Sequence, residues 1–368
     1  MTCTLCRAAS SRDSGDPLGK MPLLGSHLSV AGGLINALSA AVELKMDTVQ
    51  VFTKNQRQWA APPLDPGAAG EWRAELVRLG WQSRTVSHDS YLINLASPDE
   101  GPGGLWERSV ASMRVEIERC AALSIPLLVS HPGAYIVREG GEEPQRIEQG
   151  LVRIARAYGR LFKETRGMPV TVCLECTAGG GTTLGRTFEE LARLRELILS
   201  ECGPDADLVG ADGKRRVAGG RVGFCVDTCH ALAAGYDIAA RGAGADGKAG
   251  AGRARTRAQG VALGEAMLAA FDSVCGLEHL RVMHLNDSLG KMGSRLDRHA
   301  HIGTGEVAVG AFEAIVNHPK LAGVPMILET PKEDNEKGVP MDSVNLRKLR
   351  SMIKGARPAA GRRVGSDT

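Results

Sequence analysis

The 368-residue chain predicts an α/β fold: a single (β/α)8 TIM barrel. Short apolar runs alternate eight times with amphipathic helical stretches, which implies a parallel sheet with right-handed crossovers. Several runs end in His, Asp or Glu, and a barrel gathers its active site at the C-terminal ends of its strands. Eight units in one chain are better explained by a closed barrel than by a doubly wound open sheet, which stands as the architectural runner-up.

The units follow in order. LLGSHLSV (23–30) precedes a helix near 31–45, TVQVFTK (48–54) one near 68–80, and RTVSHDS (84–90) one near 104–123. PLLVSHPG (126–133) is followed by 144–166, VTVCLECTAG (170–179) by 187–201, and VGFCVDTCH (222–230) by 259–276. LRVMHLND (280–287) and 308–317, then PMILETP (325–331) and 342–354, complete the eight. The barrel domain is expected over 22–354, between a disordered leader (1–21) and a disordered basic tail (355–368). Two Gly/Ala/Arg-rich stretches, 203–220 and 239–258, read as flexible loop inserts. The second is expected to leave the catalytic face; a solvated loop is the favoured reading, and contact of its basic residues with a polyanion is the alternative.

Hydrophobic content of 43% and charged content of 24% suit an ordinary globular chain, so the composition does not point to disorder or fibre. No run of about 18 apolar residues offers a membrane span. The leader lacks the apolar core of a secretory signal. Net charge is +3, and the two termini carry more than all of that excess, which leaves a near-neutral core. That balance excludes an indiscriminate nucleic-acid binder, so any such contact must come from local patches or bound cations. Nine cysteines make an odd count, which argues for a reducing compartment rather than a disulfide framework. Cys3 and Cys6 have no second pair at zinc-ribbon spacing. Cys173 and Cys176 fall on opposite faces of a strand, so they do not share a metal.

Nine side chains carry the chemistry: His88, His131, Glu175, Asp227, His230, His284, Asp297, His299 and Glu329. All offer nitrogen or oxygen donors of the kind zinc and manganese take. Five lie at the ends of apolar runs, where a buried charge is costly unless paired or metal-bound. Asp227-x-x-His230 and Asp297-x-His299 add short ligand spacings. Nine groups exceed the needs of one ion and predict a multinuclear centre suited to phosphate-ester hydrolysis. No H-E-x-x-H, Walker A, G-x-S-x-G or strand-following G-x-G-x-x-G pattern is present. Gly179, Gly180 and Gly181 let the chain turn sharply beside the site.

The segments GSHLSVAGG (25–33), VFTKNQRQW (51–59), SHDSYLINLA (87–96) and SHPGAY (130–135) resemble the endonuclease IV family of apurinic/apyrimidinic endonucleases. So do LECTAGGGTTLG (174–185), CVDTCHALAAGYD (225–237), HLNDS (284–288), GSRLDRHAHIGTG (293–305) and ILET (327–330). The resemblance covers roughly 22–354, in family order, and leaves out the leader, both inserts and the tail. It implies a TIM barrel with three Zn2+ ions, Mn2+ being acceptable at one position. His88, His131 and Glu175 would hold the first ion. Glu175, Asp227, His284 and Glu329 would hold the second, with Glu175 bridging, and His230, Asp297 and His299 the third.

The implied reaction is hydrolysis of the phosphodiester 5′ to an abasic site in double-stranded DNA, leaving a 3′-hydroxyl, as a step of base excision repair. Metal coordination makes a hydroxide nucleophile available near neutral pH. Glu175 or Glu329 would orient or deprotonate the water, and the sequence leaves both open. The abasic nucleotide must leave the helix. Arg57, Tyr91 and Leu92 stand where the family inserts side chains into the gap; without the resemblance, Tyr91 and Leu92 would simply begin the next helix. Lys54, Arg295 and Arg298 are expected to contact phosphates, and Trp59 to pack under its loop. His27 is expected to support ligands from behind, and His301 to be no tenth ligand. A monomer acting in the cytoplasm on the nucleoid is expected. The competing enzyme is a metal-dependent sugar isomerase or epimerase on the same barrel, which has no use for Asp297-x-His299 or for the Arg57 and Tyr91 loops. A DNA-damage scaffold that lost its chemistry is the competing non-enzyme, and no ligand is missing to support it.

Overall fold

A computed structural model describes residues 21–137, 140–209, 216–242, 244, 250 and 252–355. Eight parallel strands close into a barrel in chain order: β1 (Leu23–His27), β2 (Thr48–Phe52), β3 (Val86–His88), β4 (Leu127–Ser130), β5 (Thr171–Glu175), β6 (Val222–Asp227), β7 (Leu280–His284) and β8 (Pro325–Leu328). β8 pairs with β1 to complete the ring. Around it run α1 (Leu34–Glu43), α2 (Pro66–Leu79), α3 (Leu105–Ala122), α4 (Glu143–Glu164), α5 (Phe188–Cys202), α6 (Thr228–Ala234), α7 (Arg257–Cys275), α8 (Val309–Val316) and α9 (Met341–Arg350). The short α6 goes beyond the eight helices expected from the apolar pattern. None of the described helices is long and apolar enough to cross a membrane.

Strand alternation divides the core in two. Val86, Leu127, Val129, Cys173, Cys225, Val282 and Ile327 fill the barrel interior as one buried cluster. Their neighbours Val49, Val51, Val172, Leu174, Phe224 and Met283 point outward and join the helix layer. Cys173 and Cys176 thus fall into different clusters, as the alternation requires. The seven described cysteines are buried and free. At Gly25 a Cβ would sit 2.1 Å from the Thr48 carbonyl oxygen, so only glycine lets β1 and β2 approach.

Local signals set the helix starts. Asp65 caps α2 by accepting from the Ala68 amide, Thr187 caps α5, and Thr256 with Gln259 forms a capping box on α7.

The stretch 203–220 is not simply a loop. It holds a 3-10 turn (Gly203–Ala206), and Leu208–Val209 pair antiparallel with Arg216–Val217. Composition hid this pairing, which buries Ala206 and uses Asp207 to accept from the Gly219 amide. Residues 210–215 lie outside the description. The second stretch opens and closes as a ribbon, with bridges Ala239–Val307 and Arg241–Ala254. Residues 243, 245–249 and 251 lie outside the description, as do Cys3, Cys6, residues 1–20 of the leader and 356–368 of the tail.

Candidate metal centre

The interior residues of six strands aim the site. Two positions beyond Val86, Val129, Cys173, Cys225, Val282 and Ile327 stand His88, His131, Glu175, Asp227, His284 and Glu329. A period of two keeps each pair on the same side, so all six turn into the barrel mouth. His230 comes from the first turn of α6, where its amide donates to Asp227 Oδ1 at 2.9 Å. Asp297 and His299 arrive on a small antiparallel ribbon, Asp287–Ser288 against His299–Ala300. Asp287 shapes the following segment: its buried carboxylate accepts from the amides of Gly303, Gly305 and Val307.

The nine groups converge in three overlapping sets. Glu175 Oε2 lies 3.2 Å from His88 Nε2 and 3.0 Å from His131 Nε2. Glu175 Oε1 faces the other way, 2.9 Å from His284 Nδ1, which is also 3.1 Å from Glu329 Oε2 and 3.8 Å from Asp227 Oδ2. Asp297 Oδ1 lies 3.1 Å from His230 Nε2 and 3.3 Å from His299 Nε2. Within each of the groups His88–His131–Glu175, Glu175–Asp227–His284–Glu329 and Asp227–His230–His299, the donor atoms lie within 4.8 Å of one another. Asp227 therefore reaches two sets, an overlap the sequence did not suggest.

The site fits metal ions. Nε2 of His230 and of His299 are buried and make no aligned hydrogen bond, their near neighbour being Asp297 Oδ1 at 3.1 and 3.3 Å, although buried polar atoms ordinarily have one. Their other nitrogens are held by backbone carbonyls, His230 Nδ1 on Cys176 at 2.9 Å and His299 Nδ1 on Glu329 at 3.1 Å. That arrangement fixes the tautomer that turns Nε2 inward. Burial pushes the Glu175 carboxyl up, yet His284, His131 and His230 hold it well below its ordinary value. Burial likewise opposes ionisation of Asp297 and Glu329, and neighbouring imidazoles keep both low. In return, burial depresses His88 but Glu175 lifts it to about 9. His299 also reaches about 9 against burial, through Asp227 and Asp297. The lowered carboxyls of Glu175, Asp297 and Glu329, set among five imidazoles, form a pocket that favours cations. Imidazole and carboxylate donors are a set zinc accepts.

Other residues bear on the site that the sequence did not reveal. Gln50 and Asn286 are fully buried against candidate ligands, with Asn286 Nδ2 donating to Asp227 Oδ2 at 2.6 Å. Cys225 and Cys229 also reach the cluster. Burial pushes the Cys229 thiol up to about 12 and Cys225 well above its usual value, so both are neutral thiols there. Histidine-rich strand ends were the legible signal, and a strand glutamine offers none.

Around the cluster, Tyr91 and Leu92 lie in a turn well before α3 rather than beginning a helix. Tyr91 is 67% exposed, with its ring 6.0 Å from the His88 ring. Leu92 is half-buried and Arg57 exposed. The two loops are tied where Ser90 Oγ donates to the Gln56 carbonyl at 2.8 Å. Arg295 is exposed beside the glycine turn, where a Cβ on Gly180 would meet the Arg295 carbonyl oxygen at 3.1 Å. Arg298 is exposed too. Trp59 packs beneath the Arg108 guanidinium at 4.3 Å. His301 turns away from the cluster, bonded to Glu333 and Asn345.

One expectation fails. Lys54 does not reach the rim: its ammonium is buried 3.3 Å from Glu116, with both side chains 1% exposed. Its partner lies on α3, far along the chain, so sequence proximity to Arg57 suggested the wrong environment.

A family described as xylose isomerase-like TIM barrel matches residues 38–350. The probable endonuclease 4 of Chloroflexus aurantiacus is 42% identical over 336 residues, 91% of this chain and 100% of that protein. The solved endonuclease IV of Thermus thermophilus superposes with a TM-score of 0.64 at 34% identity, covering 90% of this chain and 98% of that one. A D-tagatose 3-epimerase-like protein reaches a TM-score of 0.56 at 16% identity over 90% of this chain and 96% of that one, a likeness of fold alone. The chain belongs to the endonuclease IV family.

Proposed function

We propose that this chain is a DNA repair hydrolase that cuts the phosphodiester 5′ to an abasic site in duplex DNA and leaves a 3′-hydroxyl, with three zinc ions in the cluster. The observation that carries this is the convergence of all nine donors beneath an exposed Tyr91. Bound metal ions would supply Lewis acidity, offset transition-state charge and lower the pKa of water.

The chain's own residues divide the remaining work. Glu175 is fully buried and spends both oxygens on opposite ligand sets, which suits bridging. Glu329 reaches solvent, with 17% of its side chain exposed. Its oxygens are engaged too, Oε1 by the Gln50 amide and Oε2 facing His284, so it is this exposure and not a free oxygen that supports Glu329 as the carboxylate that would orient the attacking water and take its proton. Arg57 and Tyr91, on loops joined by Ser90 and Gln56, would fill the gap left by the missing base. Leu92 would support the wedge, and Arg295 would meet the backbone. Lys54 takes no part in DNA contact.

The sugar-isomerase reading shares the barrel, but gives no role to the His230–Asp297–His299 set or to the exposed Arg57 and Tyr91. Incubating zinc-loaded protein in parallel with an abasic duplex, an intact duplex and a ketohexose separates the two. Nicking confined to the abasic duplex is expected; sugar turnover with intact DNA strands would refute the proposal.

A further inference from the structure

Gln50 sits at the third position of β2, on the inward parity of the barrel, and is fully buried. A buried amide is costly unless both ends are bonded. Here its two ends meet two ligands. The carbonyl Oε1 lies 2.9 Å from His284 Nε2, and Nε2 donates to Glu329 Oε1 at 2.6 Å. The second amide hydrogen faces His27 Nδ1 at 2.9 Å.

We propose that Gln50 is a positioning residue whose amide selects which nitrogen of His284 and which oxygen of Glu329 face the metal centre. This rests on the metal-centre reading above. The amide oxygen can only accept, so the hydrogen of His284 resides on Nε2. That leaves Nδ1 as the lone-pair nitrogen, the atom 2.9 Å from Glu175 Oε1 and 3.1 Å from Glu329 Oε2. The amide nitrogen can only donate, so it engages Glu329 through Oε1 and leaves Oε2 toward the cluster. Reversing the amide would set oxygen against carboxylate and N–H against N–H, so the two choices are locked together. His27 Nδ1 accepts the second amide hydrogen, so its 3.3 Å approach to Glu329 Oε1 is a contact and not a second hydrogen bond in that arrangement. One neutral side chain thereby orients a histidine and a carboxylate contributed by separate strands.

The test is zinc affinity, measured on the full-length protein by competition with a chromophoric chelator. Gln50→Met keeps length and apolar volume but removes all three polar contacts of the amide. Groups that orient ligands in this way typically contribute roughly 10–100-fold in metal affinity. The competition midpoint of one ion is expected to move by that factor. A purely packing role would lower the melting of zinc-loaded and metal-free protein alike and leave the midpoint in place, which would overturn the inference. Gln50→Glu is the second variant, should the first fold poorly. It retains an acceptor for His284 but sets another oxygen against Glu329, and is expected to bind zinc more weakly than wild type; wild-type affinity would overturn the inference. A wild-type protein that takes up no zinc would instead overturn the metal centre itself.

Discussion

The ammonium of Lys54 and the carboxylate of Glu116 form a buried ion pair that ties the loop carrying Arg57 to α3. Thr53 Oγ1 donates to the same carboxylate at 2.9 Å, and Arg119 donates to the Thr53 carbonyl. Removing one member leaves the other charge uncompensated. Lys54→Met is expected to cost about 3–5 kcal/mol, with Lys54→Met/Glu116→Leu recovering most of it. Urea denaturation of the three proteins decides: a double variant as unstable as the single one would show that the pair is not the cause.

Glu175 connects the first two ligand sets through opposite oxygens. Glu175→Gln is expected to lower bound zinc and to cost more than about 100-fold in cleavage rate, since residues that merely orient ligands cost up to that much. Metal analysis and single-turnover cleavage on the same sample check both parts. Full zinc content with full activity would remove Glu175 from the centre.

Chelation should act through pH in a defined direction. Burial depresses His88 and His299, but their carboxylate partners raise both from 6.5 to about 9 in the metal-free protein. A raised pKa means that this pairing stabilises the metal-free fold fully below about pH 6.5 and is lost as pH rises toward 9. Metal ligation needs the neutral imidazole and so strengthens over the same window. The difference in melting temperature between zinc-loaded and metal-free protein is therefore expected to widen from pH 6.5 to 9. A constant gap would contradict the assignment of these histidines as ligands.

Arg57 and Tyr91 are assigned to the lesion rather than to the metals. Arg57→Ala/Tyr91→Ala is expected to weaken binding to an abasic duplex by about 1–3 kcal/mol, the usual value of an aromatic stacking contact. Zinc content should be unchanged. Fluorescence anisotropy with abasic and intact duplexes reads the effect, and equal loss on both would mean that the loops contact DNA without sensing damage.

Arg295 is exposed on the loop leading to Asp297. Arg295→Ala is expected to reduce the slope of log affinity against log salt by about 1, as loss of one phosphate contact should. An unchanged slope would place Arg295 off the DNA path.

Much of this is legible because the barrel converts a period of two into a direction. Val86 and His88, or Val282 and His284, share a parity visible in the sequence, and the apolar member shows which way its partner points. Gln50 obeys the same parity, yet a polar residue in a short strand does not announce that both its ends meet ligands. Lys54 departs from expectation because Glu116 becomes its neighbour only when α3 meets the segment that follows β2. Leu208–Val209 and Arg216–Val217 look like loop in the sequence because their pairing is tertiary, and Gly- and Asp-rich flanks mask it.

The most direct measurement uses zinc-reconstituted protein and an end-labelled duplex carrying one tetrahydrofuran abasic analogue, beside an intact control. The analogue cannot undergo β-elimination, so a nick must be hydrolytic. A single cut 5′ to the analogue, with a 3′ end that a polymerase extends, is the expected result. An uncut analogue, or a 3′ end that cannot be extended, would contradict the hydrolytic metal centre proposed for this chain.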